Sequence, residues 1–256
     1  MENFLKKKFI DKDGILSFEI KDEKTKKVTN FYSEQPFPNY KTNDDRQTIL
    51  EKGNKNFLAH QFKKFIGYKK NVLEVGCGTG QLSNYFAIGT NNNIIGLDPT
   101  KASLNLAKEF AEKNDIQNIK FVNADIFDDV LKENFFDFIW TNGVLHHTKD
   151  PYLAFQNLIK LLKEDGIIIL GLYNKISRLK NSSNENKFMK ATLLSKSIKP
   201  LSKSEIIVNV FCFGRFPIIV SIPDEDMIVI LSPIFRSKLK LNSLPIEMKF
   251  FFNFFF

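Results

Sequence analysis

The chain has 256 residues, 43% hydrophobic and 26% charged, proportions that exclude a disulfide-stapled miniprotein and a disordered chain. No uninterrupted apolar run approaches the roughly 20 residues that span a bilayer; Met1 to Asp13 carries Lys6, Lys7 and Lys8 with no apolar segment behind them, so neither an anchor nor a leader is expected and the default compartment is the cytoplasm. The net charge of +8 is uneven, with 16 basic and 10 acidic side chains in residues 1–70, 8 and 13 in 71–170, and 13 and 6 in 171–256; only four of the 37 basic residues are arginine, which favours solvated lysine faces over nucleic-acid binding.

Residues 1–70 read as an N-terminal extension ending in a lead-in helix, with apolar spacing at Phe57, Phe62 and Phe65. Within it, Phe31 to Tyr40 is aromatic and proline-bearing, which predicts an extended segment packed on a neighbour; Tyr32, Phe37 and Tyr40 suit either an aromatic lid or plain core. From residue 71, short apolar runs alternate with helical patterns, the mark of an α/β fold with a mainly parallel central sheet. The expected strands are Asn71 to Val75, Ile94 to Leu97, Ile119 to Val122, Phe136 to Trp140 and Ile167 to Leu172. Asp98 and Pro99 are expected to open the helix carrying Ala102, Leu106 and Phe110. Asp150 and Pro151 cap a second helix with a buried stripe of Leu153, Ala154, Leu158, Leu161 and Leu162, ended by Gly166. Arg178 to Asn186 reads as a linker, and Ile206 to Cys212 with Phe216 to Ile222 as a hairpin. The ending FFFNFFF has no amphipathic plan, which points to a frame-shifted or degenerate reading somewhere after about Lys180.

The stretch VLEVGCGTG, Val72 to Gly80, ends a strand and opens a helix, and Gly76, Gly78 and Gly80 let backbone approach a ligand too closely for any Cβ. Its spacing departs from a dinucleotide fingerprint, since Gln81 and Ser83 stand where the third glycine belongs; Gln81 and Leu82 likewise fail the phosphate-cradling pattern of Lys followed by Ser or Thr. Pyrophosphate and triphosphate ligands are disfavoured, and a nicotinamide-dependent oxidoreductase with them. Two cysteines, Cys77 and Cys212, and three histidines, His60, His146 and His147, show no zinc spacing, so no metal is expected.

Glu74 to Gly80, E-x-G-x-G-x-G, resembles motif I of class I S-adenosylmethionine-dependent methyltransferases, and further matches follow in order: IIGLD ending at Asp98, Asn123 to Ile126, and NGVLHHT from Asn142 to Thr148, similar to the type 11 and type 12 subgroups. The resemblance runs roughly from Phe31 to Leu179 and implies a three-layer Rossmann-like methyltransferase fold with S-adenosylmethionine as cofactor, bound by the core 71–175, while residues 176–256 supply last strands or a degenerate segment. By the same resemblance, Glu74, Gly76, Gly78 and Gly80 form the cofactor turn, Asp98 takes the ribose hydroxyls, Asp125 and Ile126 the adenine, and Asn142 faces the methionine part.

Each residue also has a structural explanation. Asp98 can cap a helix, Asp125 can serve a turn, and Glu74 can be satisfied inside the protein as readily as by a ligand. Of His146 and His147 at most one faces a pocket, and no catalytic base is assigned. Cys77 reads as a space-filler. A sulfonium ligand without phosphate suits the acidic middle of the chain. The acceptor is left open among a small metabolite, a lipid or quinone-like compound and a modified nucleoside, with a nucleic-acid partner disfavoured, and a non-catalytic descendant that binds cofactor or a partner is the alternative.

Overall fold

The computed structural model describes residues 4–173 and, by backbone alone, three strands within 209–231. The segment 178–186 and the phenylalanine-rich ending lie outside the described residues.

The first sheet elements lie upstream of the expected core. Strands β1 (Ile10–Lys12) and β2 (Ile15–Ser17) form a hairpin around Asp13 and Gly14, both at positive φ (59° and 76°), the geometry that Asp-Gly turns favour. Helix α1 (Glu23–Glu34) follows, capped by Asp22. Thus Phe31 to Glu34, expected to be extended, are the last turn of a helix, and only the chain from Gln35 onward is irregular. The proline restriction reaches only the residue before Pro36, so it leaves the helix intact. Helix α2 (Arg46–Lys55) starts from a reciprocal Asp45–Thr48 capping box, and α3 (Phe57–Phe65) from Asn56.

Strand β3 (Asn71–Val75) leads through the glycine turn into α4 (Gln81–Ala87). Then come β4 (Asn93–Asp98), α5 (Lys101–Lys113), β5 (Ile119–Asn123), β6 (Phe136–Asn142), α6 (Pro151–Leu161) and β7 (Leu162–Tyr173). Helix α5 begins two residues later than Asp98–Pro99 suggested, with Thr100 at the N-cap. The Asp98 carboxylate instead accepts the Thr100 N–H at 2.8 Å, a local turn bond that competes with capping. Helix α6 opens as expected on Asp150 and Pro151, but it ends at Leu161, before Gly166. Gly166 lies inside β7, where the pairing with β6 skips from Leu162 to Ile167. A Cβ there would meet the Phe136 and Asp137 carbonyls at 3.0 and 3.1 Å, so the glycine serves a bulge. Leu153, expected in the buried stripe, is exposed.

Strands β8 (Asn209–Cys212) and β9 (Pro217–Ser221) pair as the expected hairpin, and β10 (Asp226–Leu231) inserts between β9 and β7. The sheet order is β1-β2-β5-β4-β3-β6-β7-β10-β9-β8. The run from β2 to β7 is parallel, with antiparallel strands at both margins. Helices α2 to α5 cover one face through Ile49, Phe62, Phe86 and Leu104 against Val72, Ile94, Phe121 and Trp140. Helix α6, with Phe4, Val130 and Leu131, covers the other against Leu73, Ile95, Val122 and Ile139. The three-layer α/β arrangement expected from the sequence is therefore the one observed, and it gathers the C-terminal ends of the parallel strands at one edge, where such folds place their sites.

Candidate functional site

The glycine turn sits at that edge, between β3 and its neighbour β4. Gly76, Gly78 and Gly80 hold φ of 68°, 53° and 68°, left-handed values at which an L side chain is strained. The Gly76 and Cys77 N–H groups donate to the Leu97 carbonyl at 2.8 and 3.2 Å, which pins the turn to β4. The clearance left by the missing Cβ atoms is used by the chain itself. A Cβ on Gly76 would lie 2.4 Å from Val144, one on Gly78 2.5 Å from the Phe37 carbonyl, and one on Gly80 2.6 Å from Ala107. Residues 37–40 thus strap the outside of the turn. The Thr79 hydroxyl donates to the Pro38 carbonyl, and the Gln81 amide donates to the Asn39 carbonyl at 3.0 Å. Tyr40 stacks on Phe110 with centroids 4.5 Å apart and accepts from the Asn84 amide at 3.0 Å. Of the proposed aromatic lid, Tyr40 is packed and Phe37 is exposed.

Asp98, at the end of β4, is buried and accepts the Gly78 N–H at 2.9 Å. Burial raises its pKa against the pull of the Thr100 and Gly78 N–H groups. Glu74 points beneath the turn and accepts from the Ser83 hydroxyl on α4. Burial, and secondarily the Asp98 charge, push its pKa up to about 8. The Cys77 thiol beside them is buried and also raised, first by burial and then by both acids, which makes it a poor nucleophile at neutral pH. Among the described residues neither Glu74 nor Asp98 has a salt-bridge partner. Two acids therefore converge under a backbone turn with no cation, an arrangement that favours a positively charged, hydroxyl-bearing ligand.

Asp125 follows β5, is buried, and accepts from the Thr25 hydroxyl on α1 at 2.5 Å and from the Phe127 N–H at 3.1 Å. Asn123 ties β5 to β4 by donating to the Asp98 and Pro99 carbonyls at 3.1 and 2.8 Å. Asp125 and Ile126 line a cavity of about 310 Å³ on the α6 side, floored by Leu73, Val75 and Leu97. The three glycines, Asp98 and Asn142 do not line it, so the expected residues fall into two groups at one sheet edge. Asn142 ends β6 beside Gly171 of β7, where a Cβ would overlap its amide oxygen at 1.9 Å. His146 and His147 form a single 3-10 turn just beyond, with rings 4.0 Å apart.

Sequence reasoning missed Thr25, Ser83 and Val144. Thr25 and Ser83 act through hydrogen bonds and Val144 through packing, each between elements that no local pattern pairs. The β1–β2 hairpin was missed as well, although its Asp13-Gly14 pair is a local turn signal. Among the described residues no three His, Cys, Asp or Glu side chains converge as a metal site.

Comparison with known proteins identifies the family. The methyltransferase domain family matches residues 66–215, more than half of the chain. A ubiquinone biosynthesis O-methyltransferase of Glaesserella parasuis is 32% identical over 117 residues, 43% of this chain and 48% of that protein. A tRNA U34 carboxymethyltransferase of Alteromonas mediterranea is 34% identical over 106 residues, 40% of this chain and 32% of that protein. The chain thus spans about half the length, or less, of these curated relatives. A crystal structure of a Methanococcus maripaludis protein assigned as an S-adenosyl-L-methionine-dependent methyltransferase shares the fold at a TM-score of 0.51 and 19% identity, covering 84% of this chain and 96% of that one. The chain belongs to the methyltransferase domain family of the class I S-adenosylmethionine-dependent methyltransferases.

Proposed function

We propose that the protein is an S-adenosylmethionine-dependent methyltransferase whose core, residues 71–175, binds the cofactor along the C-terminal edge of β3, β4 and β5. The observation that carries this reading is the buried Asp98 carboxylate, bonded to the Gly78 N–H and set beside Glu74 with no cation among the described residues. When bound, the cofactor supplies an activated methyl group on a sulfonium, and that positive charge is what the two acids lack.

In this reading Asp98 accepts the ribose hydroxyls, Gly76, Gly78 and Gly80 present backbone, Glu74 gives up its proton from below as the cation binds, Asp125 and Ile126 meet the adenine, and Asn142 orients the methionine end. Because the donor is activated, the chain's contribution is alignment and exclusion of water. A base is needed only for an acceptor that must lose a proton, and His146 or His147 stands near enough to the β6 end to be tested for it. The acceptor we favour is a phenolic, quinone-like or lipid small molecule, supported by the relatives named for ubiquinone biosynthesis. A cytoplasmic setting fits a chain whose described residues include no helix long and apolar enough to cross a membrane.

The test is transfer of a labelled methyl group from S-adenosylmethionine to a panel of catechols, quinols, sterols and transfer RNA. Label in a phenolic or quinol acceptor is expected. Cofactor binding without transfer to any acceptor would favour the non-catalytic alternative.

A further inference from the structure

The α2–α3 corner carries a surface outside the proposed cofactor site. Helix α3 buries Ala59 and Phe62, with Ile66 behind them, against the sheet. Away from that face Phe57 is 54% exposed and Tyr68, just beyond the helix, 76%; Phe65, at the flank, is 62% exposed although one edge of its ring meets Phe138 of β6 with centroids 5.8 Å apart. Such rings facing water need a reason, since isolated exposed apolar residues are ordinary but a string of aromatic ones is a recognition feature. Lys55, Lys64 and Lys69 lie between and beside these rings, all exposed, and no salt bridge among the described residues engages them. The sequence from Lys52 to Leu73 contains no aspartate or glutamate at all. Lys63 differs from its neighbours: its ammonium turns inward onto the Tyr85 and Ile88 carbonyls, so the outward lysines are a distinct set.

We propose that this stripe, about 13 Å long on α3 alone, docks on the surface of an anionic lipid bilayer, with Phe57, Phe65 and Tyr68 entering the headgroup boundary and Lys55, Lys64 and Lys69 pairing with lipid phosphates. Aromatic rings are the side chains that settle at a membrane interface, and flexible lysine stems reach a diffuse charged surface. A nucleic-acid partner is disfavoured by the absence of arginine from the stripe, because bidentate phosphate and base contacts fall to arginine.

The test is co-flotation of the full chain with vesicles of two parts phosphatidylcholine to one part phosphatidylglycerol, against vesicles of phosphatidylcholine alone. Binding to the anionic vesicles only, released by salt, is expected. Lys64→Glu with Lys69→Glu should lower partitioning roughly thirtyfold or more, and Phe57→Ser with Tyr68→Ser should weaken it independently of salt. All four positions are exposed, so the melting temperature and the response to S-adenosylmethionine should not change, which separates this proposal from the proposed function. No flotation with anionic vesicles, equal flotation with both, or charge-reversal variants that float like the parent would overturn it. So would binding of transfer RNA, lost in the same variants, by a protein that ignores vesicles.

Discussion

Glu74 is the residue whose surroundings depart most from its chemistry. A carboxyl at the heart of a sheet, held by one serine hydroxyl and facing a second acid, keeps its proton until about pH 8. Its folded pKa therefore lies above the ordinary value of 4.5. The stabilisation from that retained proton is complete below about 4.5 and is lost as pH rises through about 8. Glu74→Gln keeps an acceptor for Ser83 and removes the titration, so melting temperature measured against pH should lose its downward slope across that window. The slope should persist in a variant of an exposed acid such as Glu112. A cationic ligand should pull the same protons off, so affinity for S-adenosylmethionine should rise with pH up to about 8, with proton release visible as a buffer-dependent calorimetric heat. At this scale the sequence revealed which residues stand at the strand ends and in the glycine turn but not what each touches. The order of Glu74, three glycines, Asp98 and Asp125 was legible because strand ends and glycine turns are local patterns. That Glu74 meets Ser83, that Gly76 makes room for Val144, and that Asp125 bonds to Thr25 depends on packing across layers.

Among the elements, the glycine turn and α1 sit at opposite ends of a stability scale. Gly80 starts α4 in a left-handed conformation and abuts Ala107 and Phe121. Gly80→Ala combines backbone strain with overpacking and should cost about 2–4 kcal/mol, read as a lowered denaturation midpoint with an unchanged denaturant slope. Helix α1 buries none of its residues. What holds it is a set of polar clasps at its start: Asp22 capping Thr25, Lys149 on Asp22 at 2.9 Å, Lys24 on the Thr148 carbonyl at 2.6 Å, and Thr25 on Asp125. Thr25→Val should therefore speed amide exchange across Glu23–Glu34 while leaving β3 and β4 protected, because an element whose apolar residues, Val28 and Tyr32, are only half-buried opens before the core does. Element boundaries were read best where apolar runs are continuous, as in β3 and β5, and worst where a strand is three residues long, as in β2, or where a bulge interrupts it, as at Gly166. Three residues carry no periodicity, and a bulge erases it.

For the molecule as a whole, the parallel run from β2 to β7 is packed on both faces, so its strands read as short, mostly apolar runs and the α/β class is legible from the amino acids alone. The charge pattern fits the same plan. The acidic excess falls on the middle residues that build the sheet edge, and the lysines concentrate in the first 70 residues, where the exposed α3 stripe lies. The strands β8 to β10 extend the sheet beyond β7, and the expected reading of the chain after about Lys180 as degenerate lies outside what the described residues address.

Calorimetric titration of the full chain with S-adenosylmethionine and S-adenosylhomocysteine, alongside Asp98→Ala, tests the cofactor site most directly. The expected result is saturable one-site heat with both compounds, weakened about tenfold to a hundredfold by the substitution, since charge-assisted hydrogen bonds from two hydroxyls are lost. A folded protein that gives no heat with either compound, or an Asp98→Ala variant that binds as tightly as the parent, would contradict the assignment.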